Sequence, residues 1–260
     1  MKLATWNVNS LTVRLAHVLD WLAANPVDVL ALQEIKLTGD KFPCDALRAA
    51  GYQAQVFGQK TYNGVALLTR APLAMTEVAR GIPGYPDEAA RVIAGTVQGA
   101  GGPVRVVNGY FVNGQAPGSE KFEYKLTWLR ALRDALREEL AAHPRLALLG
   151  DFNIVPEDRD SFDPVGLAGT ILHTDEEREH FRQLLRLGLM DAFRLFEQPE
   201  KSFSWWDYRV LGFQRNRGLR IDHILVSQPL AARVSACAID RAPRKWPKSS
   251  DHAPVVVTLE

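Results

Sequence analysis

Thiols are nearly absent. The 260 residues include two cysteines, Cys44 and Cys237, far apart and outside any paired-thiol motif. That excludes a disulfide scaffold and a cysteine-rich zinc module, and both thiols are expected to be reduced. No apolar run approaches the roughly 18 residues that cross a bilayer. Polar residues interrupt the first apolar stretch at Asn7, before a signal-peptide core could form, so the expected place is the cytoplasm, away from membrane. A glycine-rich phosphate loop is missing, and so is the Gly-x-Ser-x-Gly elbow of acyl-transfer hydrolases. Charge of one sign is not in excess either, with 31 Lys and Arg against 30 Asp and Glu. Its placement is uneven, however. Arg209, Arg215, Arg217 and Arg220 lie in one acid-free stretch, and Arg241, Arg244, Lys245 and Lys248 in another. Such loops are ordinary solvated surface unless they flank a site for a polyanion.

What is present is an ordinary globular composition, 47% hydrophobic and 23% charged, in a chain long enough to bury roughly 70–75% of its unfolded surface. No repeat or linker divides it, and one domain over residues 1–260, acting as a monomer, is expected. Short apolar segments alternate with amphipathic ones. The pattern predicts strands at 2–6, 27–32, 53–57, 64–69, 92–97, 104–110, 145–149, 220–226, 234–239 and 254–259. Helices are predicted over 12–24, with Leu15, Val18, Leu19 and Leu22 at helical spacing, and over 120–142, with a stripe of Leu126, Leu129, Leu132, Leu136 and Leu140. A third begins at Thr174, where Glu177 completes a capping box, and ends near Gly188. This alternation predicts an α/β fold of two packed mixed sheets flanked by helices.

The informative feature is repeated: apolar strands end in carboxylates or amides. The first leads to Asn7 and Asn9, the second to Gln33 and Glu34, the sixth to Tyr110 and Asn113, the seventh to Asp151 and Asn153. Asp222 lies in the eighth, and Asp251 and His252 precede the last. A strand repeats its facing every second residue. Asp151 and Asn153 therefore share a face while Phe152 turns to the core, and Asp222 and His223 oppose each other, leaving His223 structural. One such ending is ordinary turn chemistry; six are not. Hard oxygen donors without thiolates suit Mg²⁺ or Mn²⁺ rather than zinc. His17, His143, His173 and His180 lack such company and read as surface or packing residues.

These residues carry a resemblance. From Trp6-Asn7-Val8-Asn9-Ser10-Leu11 to Ser249-Ser250-Asp251-His252-Ala253-Pro254, through Leu32-Gln33-Glu34-Ile35-Lys36, Tyr62-Asn63-Gly64-Val65-Ala66 and Gly150-Asp151-Phe152-Asn153-Ile154, nearly the whole chain resembles the exonuclease III family of abasic-site endonucleases, within the endonuclease/exonuclease/phosphatase superfamily. Ser204-Trp205-Trp206-Asp207-Tyr208-Arg209 and Gly218-Leu219-Arg220-Ile221-Asp222 point to its DNA-repair branch. The resemblance implies a four-layered α/β sandwich with the site at one end. It implies magnesium, replaceable by manganese, held chiefly by Glu34, with Asn7, Asn9, Asp151, Asn153 and Asp251 around it and Lys36 supporting Glu34. It further implies that Asp151 orients or deprotonates the attacking water, that Asn153 stabilises the pentacoordinate phosphorus, and that His252, paired with Asp222, contacts the phosphate. Tyr110 and Asn113 match phosphate-contacting positions, and Arg91 one near the DNA backbone. Trp205, Leu219 and Ile221 match an apolar pocket for an abasic sugar, and the arginine-rich loops beside it, Arg209 included, read as phosphate contacts. The implied partner is double-stranded DNA with abasic sites or 3′ ends.

Ordinary core packing is the competing account of Trp205 and Trp206. A phosphatase of phosphoinositides or other small molecules would share the metal-binding residues but need neither Trp205 nor the Arg209–Arg220 loop. A DNA-binding module on a dead enzyme would have lost a residue among Glu34, Asp151, Asn153, Asp222 and His252, and none is lost. One segment departs from the family pattern. Between Glu157 and Gly169, Glu157, Asp158, Asp160 and Asp163 face only Arg159, where relatives often carry Lys, Arg or Asn. Such a loop is expected to repel a DNA strand and to favour trimming of 3′ ends over internal incision.

Overall fold

The structure is a computed structural model and describes residues 1–99 and 101–260. Among these, the strands are β1 (Lys2–Asn7), β2 (Val29–Gln33), β3 (Tyr52–Phe57), β4 (Val65–Arg70), β5 (Met75–Arg80), β6 (Val92–Gly99), β7 (Gly102–Tyr110), β8 (Leu146–Asp151), β9 (Leu189–Asp191), β10 (Trp205–Trp206), β11 (Gly218–Leu219), β12 (Asp222–Ser227), β13 (Val234–Ile239) and β14 (Val255–Leu259). The helices are α1 (Leu11–Ala24), α2 (Cys44–Ala49), α3 (Glu120–Ala142), α4 (Asp175–Arg186) and the single turn α5 (Gln228–Ala231).

Two six-stranded sheets form, in the orders β13-β14-β1-β2-β4-β3 and β5-β6-β7-β8-β12-β9. Each contains one parallel pair, β1 with β2 and β7 with β8, in an otherwise antiparallel ladder. Parallel neighbours need a crossover, and α1 and α3 supply it. Side-chain alternation then sets the layers. Leu3, Val29, Val65 and Leu67 from one sheet meet Val104, Val106, Ala147, Leu149 and Ile224 from the other. Their strand neighbours Ala4, Trp6, Leu30 and Leu32 turn outward to Val18, Trp21 and Leu22 of α1. Val107, Leu146 and Leu148 turn the other way, to Trp128, Leu129, Leu132 and Leu136 of α3 and Phe181 of α4. The result is the four-layered α/β sandwich.

The expected strands and helices are present with small changes of boundary. Helix α4 starts at the Thr174–Glu177 capping box and is followed by Gly188 at φ 97°. Three differences have physical causes. The strand expected from 220 begins only at Asp222: a separate two-residue strand, β11, precedes it and pairs with β10, and Arg220 and Ile221 lie between the two. Strand β5 shows no alternation because it is an exposed edge with an irregular register between Thr76 and Ala79. The buried stripe of α3 runs through Phe122, Lys125, Trp128, Leu129, Leu132 and Leu136; Leu126 is only partly buried, and a lysine occupies the inner position beside it.

Candidate active site

Topology explains why the polar strand ends meet. Parallel strands finish at the same edge, so Asn7 sits in register with Gln33, and Tyr110 with Asp151. The antiparallel neighbours begin where these end. Asp222 opens β12 opposite Asp151, and Asp251 and His252 lead into β14 beside β1. Packing the two sheets face to face joins both edges into one cluster.

Its centre is Asp151, nearly fully buried. Oδ2 accepts from Asn7 Nδ2 at 2.9 Å, and Oδ1 accepts from the Asn153 backbone N–H at 3.0 Å. Burial raises its pKa, the nearby Asp222 and Glu34 charges add to that, and His252 and the Asn7 bond oppose it. Asp222 holds His252 from the far side, with Nδ1 at 2.9 Å from Oδ2, while His252 Nε2 lies 3.8 Å from Asp151 Oδ2. Burial alone would lower the pKa of His252; the Asp222 and Asp151 carboxylates reverse that and hold it as imidazolium. Ser204 fixes Asp222 in turn, its hydroxyl donating to Oδ2 at 2.7 Å. His223 faces away, with Arg220 Nη1 at 3.0 Å from its Nδ1.

The Glu34 carboxylate is half-buried, 19% accessible at the side chain, and Lys36 Nζ lies 2.9 Å from Oε2. Ligand atoms of Glu34, Asp151 and His252 all fall within 4.8 Å of one another. With His252 protonated, the members of that group that could hold a cation are the Glu34 and Asp151 carboxylates. Asn7 stands between these carboxylates as a donor: Nδ2 reaches Glu34 Oε1 at 2.8 Å, while Oδ1 is taken by the Asn9 N–H at 2.9 Å. Asn9 Oδ1 accepts from Lys36 at 2.7 Å, and its Nδ2 donates to Asp251 Oδ1 at 3.0 Å. Asp251 Oδ2 accepts from Trp205 Nε1 at 2.9 Å. In this arrangement Asn7 and Asp251 each accept hydrogen bonds that hold neighbours in place. Burial would raise the pKa of Asp251, but His252 and the bonds from Asn9 and Trp205 bring it below the usual value.

Asn153, in the left-handed conformation at φ 49°, accepts from Asn113 Nδ2 at 3.1 Å and donates to the Phe111 carbonyl at 3.1 Å. Burial, then the Glu34 and Asp151 charges, push the Tyr110 hydroxyl well above its usual pKa. The Arg91 guanidinium lies 5.0 Å from the centre of the Tyr110 ring.

Beside His252 lies an apolar wall. Trp205 pairs with Leu219 across β10 and β11 and bridges to His252. Leu219, Ile221, Val155 and Leu172 form a buried cluster against Phe162, Leu167, Ile171 and Trp205. Phe162 and Leu172 carry no sequence signal of this role and join it only through tertiary packing. Trp206 is wholly buried, as core packing requires.

The basic loops divide. Arg209, Arg215 and Arg217 are exposed, with Arg209 ion-paired to Asp207 at 2.7 Å. Arg220 is not a surface cation: it is buried, bonded to Asp160 at 2.6 Å and Asp191 at 2.8 Å. Arg244 is buried among Trp206, Tyr208 and Phe213. The acidic loop also differs from expectation. Asp160 is buried against Arg220 and Arg194, Asp158 pairs with Arg178 at 2.9 Å, Glu157 with Arg159, and Asp163 accepts the Gly166 N–H at 2.9 Å.

A sandwich with this carboxylate, amide and imidazole cluster at one edge defines a class, and comparison agrees. The model of the Endonuclease/Exonuclease/phosphatase family matches residues 4–252, and the chain belongs to that family. Among individual relatives, exodeoxyribonuclease III of Haemophilus influenzae is 36% identical, with 98% of each chain covered. The structure of the 3′ phosphatase NExo from Neisseria bound to a product DNA hairpin is 47% identical, with a TM-score of 0.96 over 100% of this chain and 99% of that one. An AP endonuclease from Archaeoglobus fulgidus is 34% identical, with a TM-score of 0.94 and the same coverage. Among the described residues, no helix is long and apolar enough to cross a membrane.

Proposed function

We propose that this chain is a magnesium-dependent DNA-repair phosphodiesterase. It hydrolyses the DNA backbone 5′ to abasic sites and removes 3′-terminal nucleotides or 3′-blocking groups. The observation that carries the reading is the contact between two features: the Asp222–His252–Asp151 array at one sheet edge and the apolar wall of Trp205, Leu219 and Ile221 bridged to His252. The first is chemistry for a phosphodiester. The second accepts a sugar without a base, which is extruded most cheaply because nothing is unstacked.

Glu34 and Asp151 would hold the cation. Their oxygens are hard donors, without a thiolate, and fit Mg²⁺ or Mn²⁺. A bound cation supplies charge neutralisation on phosphoryl and leaving oxygens. The protein's own groups act around it. The imidazolium of His252, fixed by Asp222, donates a hydrogen bond to a phosphoryl oxygen. Asp151, whose carboxylate is made more basic by burial, orients water and takes its proton. Asn153 and Asn113 contact the phosphate through their amides, and Tyr110 through its hydroxyl. Arg91 and the exposed Arg209 lie on the DNA side and meet backbone phosphates. In this reading residues 1–260 are one catalytic domain that acts as a monomer in the cytoplasm.

Defined duplexes test it, one with an internal abasic site and one with a 3′-phosphate, each with magnesium and with EDTA. Cleavage of either, lost with EDTA, supports the reading. Intact duplexes alongside hydrolysis of a small phosphorylated alcohol or inositol would replace it with the small-molecule phosphatase.

A further inference from the structure

Helix α3 is packed against its sheet by an apolar stripe, and one member of that stripe is charged. The Lys125 side chain has 0% exposure. An ammonium has three N–H donors and no acceptor, and all three find partners. Nζ donates to the Asn153 carbonyl at 2.7 Å, to the Asn113 carbonyl at 3.1 Å and to the Glu177 carboxylate. Glu177 is equally buried. It also accepts from the Leu172 N–H at 3.1 Å and, at the start of α4, from the Thr174 N–H at 3.0 Å and hydroxyl at 2.9 Å. One lysine on a rigid helix thus ties together three irregular segments: the turn after β7, the turn after β8, and the lead into α4.

Two of those turns carry amides of the site. Asn153 sits at φ 49°, in the left-handed region that asparagine adopts more readily than other side-chain-bearing residues. Asn113 is followed by Gly114 at φ 93°, where an added Cβ would lie 3.0 Å from Lys125 Cδ. The stem of the lysine packs against one turn while its head bonds both. The two amides then meet, Asn113 Nδ2 to Asn153 Oδ1, at 3.1 Å.

We propose that Lys125 is a positioning residue for phosphodiester hydrolysis. Its buried ammonium fixes the main chain of Asn113 and Asn153 so that their amides are held ready for the scissile phosphate. The inference rests on the nuclease reading, in which Asn153 contacts that phosphate. Lys125 never touches substrate; it acts through Asn153 and Asn113. Misplacement of a catalytic group by about 1 Å costs about 10²-fold in rate.

The test uses the full chain with a 3′-phosphate duplex and reads single-turnover rate per folded molecule, affinity for the same duplex in EDTA, and melting temperature. Lys125→Met strands a buried carboxylate, so it is paired with Glu177→Gln to keep the core neutral. This double variant is expected to lose about 10²-fold in rate, with duplex affinity little changed. Placed on Asn153→Ala, which itself loses about 10²–10³-fold, the same pair should lose clearly less than it does on the parent, because one of the two amides it positions is gone. Glu177→Gln alone keeps both carbonyl bonds of Lys125. It should lower the melting temperature while leaving the rate near that of the parent. A full further loss on the Asn153→Ala background, a parallel loss of affinity, or a rate loss in Glu177→Gln equal to that of the double variant overturns the proposal. Absence of cleavage by the unsubstituted protein sinks the nuclease reading itself, whereas an active parent with an unaffected double variant sinks the positioning role alone.

Discussion

His252 is held between two carboxylates, Nδ1 at 2.9 Å from Asp222 Oδ2 and Nε2 at 3.8 Å from Asp151 Oδ2. Asp222 is the closer and hydrogen-bonded partner, so it does most to keep the ring charged. Replacing Asp222 with Asn retains a hydrogen-bond acceptor but removes the charge. The histidine pKa then falls. The sign follows directly: activity that needs imidazolium survives below that pKa and is lost as pH rises through it. Asp222→Asn should lower activity at neutral pH, and its alkaline limb should begin at lower pH. The check is a comparison of pH–rate curves for the two proteins; superimposable curves would remove the pairing from the mechanism.

Glu34 and Asp151 are the two carboxylates that face the same space, and Glu34 is the one open to solvent, steadied by Lys36. Glu34→Gln should therefore raise the magnesium concentration for half-maximal activity by about tenfold or more, as one charged ligand is lost. Isothermal titration of Mn²⁺ into the DNA-free protein reads the same change without catalysis. Equal metal affinity in the two proteins would assign the cation elsewhere.

Much of this site was legible in the sequence, for a physical reason. Parallel crossovers bring strand ends to one edge, so polar residues after apolar runs at 7, 34, 110 and 151 converge. Period-2 facing separated Asp222 from His223 within β12, whereas Asn153 lies beyond the end of β8 in the left-handed conformation. Local chemistry fixed the start of α4, where Thr174 and Glu177 are three residues apart. Contacts made across the chain were not legible. Lys125 reads as a surface residue by type, and only its bonds to residues 113, 153 and 177 keep it inside. Arg220 looked like a phosphate contact because its partner Asp160 lies 60 residues away. The two-residue strands β10 and β11 have too little length for any periodicity.

His223, the histidine facing away from the site, governs acid stability. It is fully buried, accepts from Arg220 at Nδ1 and donates from Nε2 to the Ile154 carbonyl at 3.2 Å. Burial first, then the Arg220 charge, lower its pKa to about 4, against roughly 6.5 when unfolded. The unfolded chain thus binds a proton more readily than the folded one between these values. Its contribution is complete above about pH 6.5 and is lost as pH falls towards 4, on the order of 3 kcal/mol in all. Urea midpoints measured from pH 7 to 4 should fall accordingly. His223→Gln, which keeps a donor and an acceptor but does not titrate, should be less stable at pH 7 and show a flatter profile in that window. An equally steep profile would assign the acid sensitivity to other groups.

Asp160 separates stability from substrate choice. An acidic loop facing the DNA would slow internal incision, because phosphate contacts there would be repelled rather than neutralised. The structure turns one acid of that loop inward. Asp160 accepts from Arg220 Nε at 2.6 Å and Nη2 at 3.1 Å, and from Arg194. Arg220 offsets the rise in pKa that burial would cause, Arg194 adds to it, and Asp160 stays below the usual carboxylate range. Removing one partner of a buried pair leaves the other charge uncompensated and costs roughly 3–5 kcal/mol. Asp191, 2.8 Å from Arg220 Nη1, remains, which puts Asp160→Asn near about 3 kcal/mol. With Asp158 and Glu157 also paired, little repulsion reaches a bound strand. Asp160→Asn should lower the urea midpoint strongly yet leave the ratio of internal incision to 3′-end trimming unchanged. Both activities of the parent protein should fall with salt at similar slopes on matched oligonucleotides. A steeper slope for internal incision, relieved by Asp160→Asn, would show that the loop's charge reaches the DNA after all.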